Sequence, residues 1–134
     1  KKDSPVGKMF IHPEVKLESG QAVLLDEVSG NDFAIVAWGV DPKGRLSEAT
    51  MKKWQELGVK FIQVIPAVQF GNEKRQQFED VITIGDMGTD IRTWFGKTDE
   101  SVAILRPDRF VAALAIPQTL ERTSQALFSK MHVS

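Results

Sequence analysis

Asp86 and Asp90 stand four residues apart, with Asp80 close by, and a carboxylate pair of this kind is the raw material of acid–base or magnesium chemistry. The bland reading is stronger. Asp86 falls in the turn Gly85-Asp86-Met87-Gly88, and Asp90 falls in the first turn of a helix, where negative charge is stabilising whatever the protein does. Zinc needs three or four ligands at tight spacing, whereas His12 and His132 stand alone near the two ends. No serine sits in Gly-x-Ser-x-Gly, and the ten glycines form neither GxGxxG nor GxxxxGK[ST], so nucleophilic catalysis and phosphate cradling have no motif behind them. Cysteine is absent, which removes disulfides, thiolate nucleophiles and sulfur-ligated metal. By itself the sequence reveals no chemistry.

Basic residues are scattered as Lys52-Lys53, Lys74-Arg75 and the pair Arg106 and Arg109, each offset by acids, so no stripe suited to nucleic acid emerges. Trp38, Trp54 and Trp94 fall on apolar faces and read as core. Asp26-Glu27 and Asp32 read as a solvated helix end and a turn. The informative exception is Arg106-Pro107-Asp108-Arg109. Two arginines and an aspartate in one turn can form a local ion-pair cluster, or they can dock on a partner domain, for which the guanidinium fork is well suited. Arg106, Asp108 and Arg109 are therefore the candidate interdomain or dimer contacts, and no catalytic, cofactor-binding or metal residue is assigned.

The elements that must position this turn can be read from hydrophobic spacing. Residues 1–20, rich in Lys, Gly, Pro and Glu, read as an irregular lead-in or linker with short extended pieces at 8–11 and 15–17, and residues 21–134 as a single domain. Leu24, Leu25 and Val28 share a helical face, so 22–28 is expected to be a short helix. Phe33–Trp38 reads as a strand covered on both faces. Ser47 as N-cap, Glu48 in the first turn, Met51 packing back on Leu46 and Gly58 as C-cap predict a helix over 47–57. Val59–Ile65 is a second buried strand ended by Pro66, and strand, helix, strand makes a parallel crossover unit. A polar, solvated stretch follows at 71–77, then a strand at 81–84 and a helix capped by Thr89 with Ile91, Trp94 and Phe95 on its apolar face. Residues 102–105 and 110–115 flank the 106–109 turn as an antiparallel hairpin, with Pro107 where a type I turn favours it. Pro117 is expected to open a last helix whose face is Leu120, Ser124, Leu127, Phe128 and Met131.

The 134 residues carry 17 Lys+Arg against 18 Asp+Glu, and 42% are apolar, which suits one globular α/β domain without electrostatic bias toward nucleic acid or anionic membrane. No window is long enough for a membrane span and no signal peptide is encoded, so a cytoplasmic address is the default expectation. The missing initiating Met leaves open that the chain is cut from a longer one.

The order of elements matches a thioredoxin-like mixed sheet: parallel strands, a C-terminal hairpin and flanking helices. Three segments carry a more particular resemblance. They are Met9-Phe10-Ile11-His12-Pro13, Leu24 to Phe33 containing Leu24-Leu25-Asp26-Glu27-Val28, and Arg106-Pro107-Asp108-Arg109-Phe110-Val111-Ala112. In this order they resemble the C-terminal domain of flavin-dependent aromatic hydroxylases of the 3-(3-hydroxyphenyl)propionate hydroxylase and phenol hydroxylase type. That resemblance implies a thioredoxin-like fold without redox cysteines, in a chain whose FAD, NAD(P)H and aromatic substrate sites lie in larger N-terminal domains. It also implies packing on those domains, with a homodimer contact in some relatives, and no activity for this segment alone. Phe110 stands where the family segment more often has tyrosine, so any role resting on that hydroxyl is lost. A free-standing, cysteine-free thioredoxin-like binding module is the alternative from the residues themselves.

Overall fold

In the computed structural model, which describes residues 4–72 and 74–131, the near-continuous apolar run after Asn31 forms the central strand β3 (Ala34–Trp38). A strand buried on both faces must feed two cores, and β3 does so with period two. Ala34 and Val36 point into one core, and Ile35 and Ala37 into the other.

From β3 the chain crosses through α2 (Glu48–Glu56) to β4 (Lys60–Pro66), which pairs parallel with β3 from Ala34↔Lys60 to Trp38↔Val64. The helix ends as its sequence requires. Ser47 Oγ accepts the Thr50 N–H at 3.2 Å, and Gly58, at φ +75°, supplies the left-handed residue after the last turn. A short 3-10 segment (Ala67–Gly71) then leads to β5 (Ile82–Asp86), parallel to β4. Gly85 is required here by close approach. A Cβ at this position would lie 2.8 Å from both Ala67 Cα and Phe70 Cε2.

The helix α3 (Asp90–Gly96) leads to the antiparallel hairpin β6 (Val102–Leu105) and β7 (Val111–Ala115), and α4 (Leu120–Lys130) closes the fold. With β1 (Glu14–Lys16) and β2 (Ala22–Leu24) at one edge, the sheet order is β2-β1-β5-β4-β3-β6-β7. One face is covered by α1 (Leu25–Ser29) and α3 through Leu25, Ile91 and Phe95, with Phe10 from the N-terminal segment. The other is covered by α2 and α4 through Trp54, Leu120 and Phe128. Both cores are closed by this chain's own elements, and the mixed α/β sheet with a terminal hairpin is the one the residue spacing predicts.

Four expectations need correction. The lead-in of residues 1–20 is not irregular throughout, because β1 (Glu14–Lys16) pairs antiparallel with both β2 (Ala22–Leu24) and β5, burying Val15 completely. The extended piece expected at 15–17 is this strand, and what composition did not show is its pairing on both sides. The short helix expected over 22–28 divides into β2 and α1, because Ala22, Val23 and Leu24 take up the register that β1 offers. Thr89 makes no side-chain cap for α3. Instead Asp86 Oδ2 accepts the Arg92 N–H at 3.1 Å, so a buried carboxylate at the end of β5 caps the helix. Pro117 lies in a turn closed by Thr119 N–H to Ile116 C=O, and α4 begins at Leu120.

Lys1, Lys2, Asp3, Glu73 and His132 to Ser134 lie outside the described residues, and with them the expectation for His132. Among the described residues no helix is long and apolar enough to cross a membrane.

Candidate functional site

The hairpin turn is built from its own residues. Arg109 N–H donates to Arg106 C=O at 2.8 Å, which closes the turn, and Arg106 N–H donates to Phe110 C=O at 2.9 Å. Arg109 is left at φ +71°, the left-handed position that follows a type I turn in such loops. The register slips between Ile104 and Leu105, where β6 meets this loop.

The three predicted contact residues do not stay together. Arg106 pairs with Asp108, and both are about half exposed. Asp108 also accepts the Phe110 N–H at 3.2 Å. Desolvation, which raises its pKa, is outweighed by that N–H and by the Arg106 guanidinium, so the carboxyl is held below its ordinary value. Arg109 turns the other way. Its Nε lies 3.2 Å from Asp26 Oδ1, at an angle outside hydrogen-bonding geometry, and its Nη2 donates to Gly30 C=O at 3.3 Å. The same Asp26 oxygen is 3.1 Å from His12 Nδ1, while His12 Nε2 is 3.1 Å from Met9 Sδ. Arg109 thus ties the hairpin to α1, and Asp26 ties both to the N-terminal segment.

Of the three, Arg106 and Asp108 are available to a partner, and Arg109 is occupied within the domain. Around them the surface is apolar. Met9 is 51% exposed, Val6 44% and Met131 37%, and Val6, Arg106 and Met131 share one depression with Phe33, Val111 and Leu127. Met9 bridges Phe110 directly. Sequence spacing could not find Asp26 and His12 as partners of this turn, since they are brought to it only by the docking of separate segments.

Asp86 and Asp90 sit in unlike environments, Asp86 buried and Asp90 exposed in the first turn of α3. Asp86 is buried as the α3 cap, and among the described residues no group of three His, Asp or Glu could hold a metal. Arg75 also departs from its solvated reading. Its side chain is only 8% exposed, paired with Glu18 from the β1–β2 connection and lying over the Phe70 ring at 5.2 Å. A partner 57 positions away leaves no local signal.

Comparison with known proteins places these features in a family. Over 130 residues the chain is 50% identical to 3-(3-hydroxy-phenyl)propionate/3-hydroxycinnamic acid hydroxylase of Klebsiella pneumoniae strain 342, covering 97% of this chain and 23% of that one. The chain thus spans about a quarter of the length of that relative. Among solved structures, a thioredoxin-like protein from Bacteroides caccae superposes with a TM-score of 0.63 at 14% identity, covering 90% of this chain and 49% of the other. Peroxidoxin BcpB from Mycobacterium tuberculosis gives 0.60 at 12% identity, covering 93% and 96%. These two likenesses establish the thioredoxin-like fold. The family model for the HcaD C-terminal domain matches residues 7–130, and the chain belongs to that family.

Proposed function

We propose that this chain is a non-catalytic packing domain of a flavin-dependent aromatic-ring monooxygenase, acting in the cytoplasm. The FAD, the NAD(P)H site and the phenolic substrate site belong to the rest of the parent chain. The observation that carries this reading is the coverage: half-identical over nearly all of this chain, which matches only 23% of a hydroxylase. In such a parent, oxygen transfer to the ring is the cofactor's chemistry, and this domain contributes surface rather than reacting groups.

The surface proposed for the contact is the hairpin end, where Arg106 and Asp108 stand beside Val6, Met9 and Met131. An exposed ion pair next to exposed apolar side chains has the composition of a domain interface, with arginine at its rim. The same surface serves a homodimer where one forms.

The test uses the parent hydroxylase with Arg106→Ala and Asp108→Ala changed together. The expected result is earlier thermal unfolding and easier proteolytic release of this domain, with the fold of the 134-residue chain unaltered by the same changes. A parent that resists heat and protease as before would reject this surface. A parent whose FAD reduction and ring hydroxylation require Arg106 or Asp108 in the chemical step would reject the non-catalytic role.

A further inference from the structure

At the opposite end of the sheet from the hairpin turn, the carboxyl ends of the parallel strands β3 and β4 open into a cleft of about 610 Å³. That size is within the range of small-molecule sites, and the carboxyl ends of parallel strands are where open α/β sheets place them. The lining is chemically uneven. Trp38, Ile65 and Pro66 form an apolar wall, Gln63, Gln69, Asn72 and Gln76 bring side-chain amides, and Arg75 and Arg92 bring two guanidinium groups, with no carboxylate in the lining among the described residues.

The two arginines differ in a way that points to a ligand. Arg92 is exposed and makes no ion pair among the described residues. Arg75 is held by Glu18 through Nη2 and by the Phe70 ring, yet its Nη1 is buried without a hydrogen-bond partner. Buried guanidinium N–H groups are ordinarily satisfied, and this unpartnered one belongs to a side chain that lines the cleft.

We propose that this cleft binds a small anionic polyol, its oxyanion meeting Arg75 and Arg92 and its hydroxyls meeting the amides. Gln69 and Gln76 each offer both a donor and an acceptor, which complements hydroxyl groups, whereas the Gln63 amide is already tied to Gly39 C=O and the Thr83 hydroxyl; the Trp38 side chain adds apolar surface suited to the C–H face of a sugar-like body. The oxyanion is a carboxylate or a phosphate, since a guanidinium fork recognises both. This site lies at the other end of the sheet from the hairpin surface.

The experiment is a two-dimensional NMR titration of the 134-residue chain, following the Trp38 indole N–H, with gluconate, glucose 6-phosphate and glucose as probes. At least one anion is expected to shift Trp38 saturably, the tighter of the two identifying carboxylate or phosphate, while glucose leaves it unmoved. Arg92→Gln, a surface change that keeps the fold, is expected to weaken binding about tenfold, and added salt to weaken it further. Arg75→Gln is expected to do the same, with the remaining resonances of the spectrum reporting its fold. Glucose binding as tightly as the anions, an unchanged affinity in Arg92→Gln, or no saturable shift with either anion would overturn the proposal. Equal binding of inorganic phosphate would overturn the part assigned to the amides.

Discussion

Trp54 Nε1 donates a hydrogen bond of 2.9 Å to Ser124 Oγ, and both residues are wholly removed from solvent. The bond joins α2 to α4 across seventy positions of sequence inside the second core. A buried indole N–H without an acceptor costs the full desolvation of that group. Ser124→Ala is therefore expected to destabilise the chain by about 1–3 kcal/mol, read by urea unfolding. The double change Trp54→Phe with Ser124→Ala should cost less than the sum of the two single changes. Additive losses would mean that the bond contributes nothing.

A second tie between the same helices depends on pH. Glu121 Oε2 accepts from the Thr50 hydroxyl at 2.6 Å and from Ser47 Oγ at 3.1 Å, and Oε1 accepts the Ser47 N–H at 2.8 Å. The Thr50 hydroxyl, then the Ser47 N–H, hold this carboxyl below its ordinary value of 4.5, outweighing its desolvation. A lowered carboxylate pKa stabilises the fold above the unfolded-state value, and that stability is lost as pH falls from about there through the folded-state value. Denaturation midpoints of the wild type should thus fall on acidification below pH 4.5 more steeply than those of Glu121→Gln. Parallel curves would remove Glu121 from the acid response.

Gly85→Ala should destabilise by about 1–3 kcal/mol, because its methyl group would meet backbone at Ala67 as well as the Phe70 ring. Gly71→Ala, with open space around the same Cβ, is the control and should be near neutral. Equal thermal midpoints for the two variants would show that the 3-10 segment yields freely.

Asp26→Ala and Asp108→Ala separate the two halves of the predicted turn cluster. Asp26 is shared by His12 and Arg109 across three segments, whereas Asp108 pairs only within its own loop among the described residues. Asp26→Ala should lower the thermal midpoint measurably, by the about 1 kcal/mol at the top of the range for exposed ion pairs, and Asp108→Ala should stay within about 0.5 kcal/mol of wild type. The reverse order would place the fold's dependence in the hairpin itself.

How far the sequence alone reached follows from the range of each signal. Local signals were read directly: the unbroken apolar run of β3, Ser47 and Gly58 bounding α2, and Pro107 in its turn each depend on neighbours a few residues away. Three short segments were enough to indicate the family, and the family match over 7–130 bears this out. What the tertiary structure alone decided rests on partners far apart in the chain. β1 exists because β2 and β5 supply its hydrogen bonds, and Asp86 rather than Thr89 caps α3 because strand and helix meet in space. Arg109 leaves the hairpin cluster for Asp26, and Arg75 is buried by Glu18 and Phe70, because a long charged side chain goes to whichever partner the packing of separate elements brings within reach. Hydrophobic period and capping act over a single turn or strand, so they determine the elements, whereas pairing of charges and edges is decided only once those elements have packed.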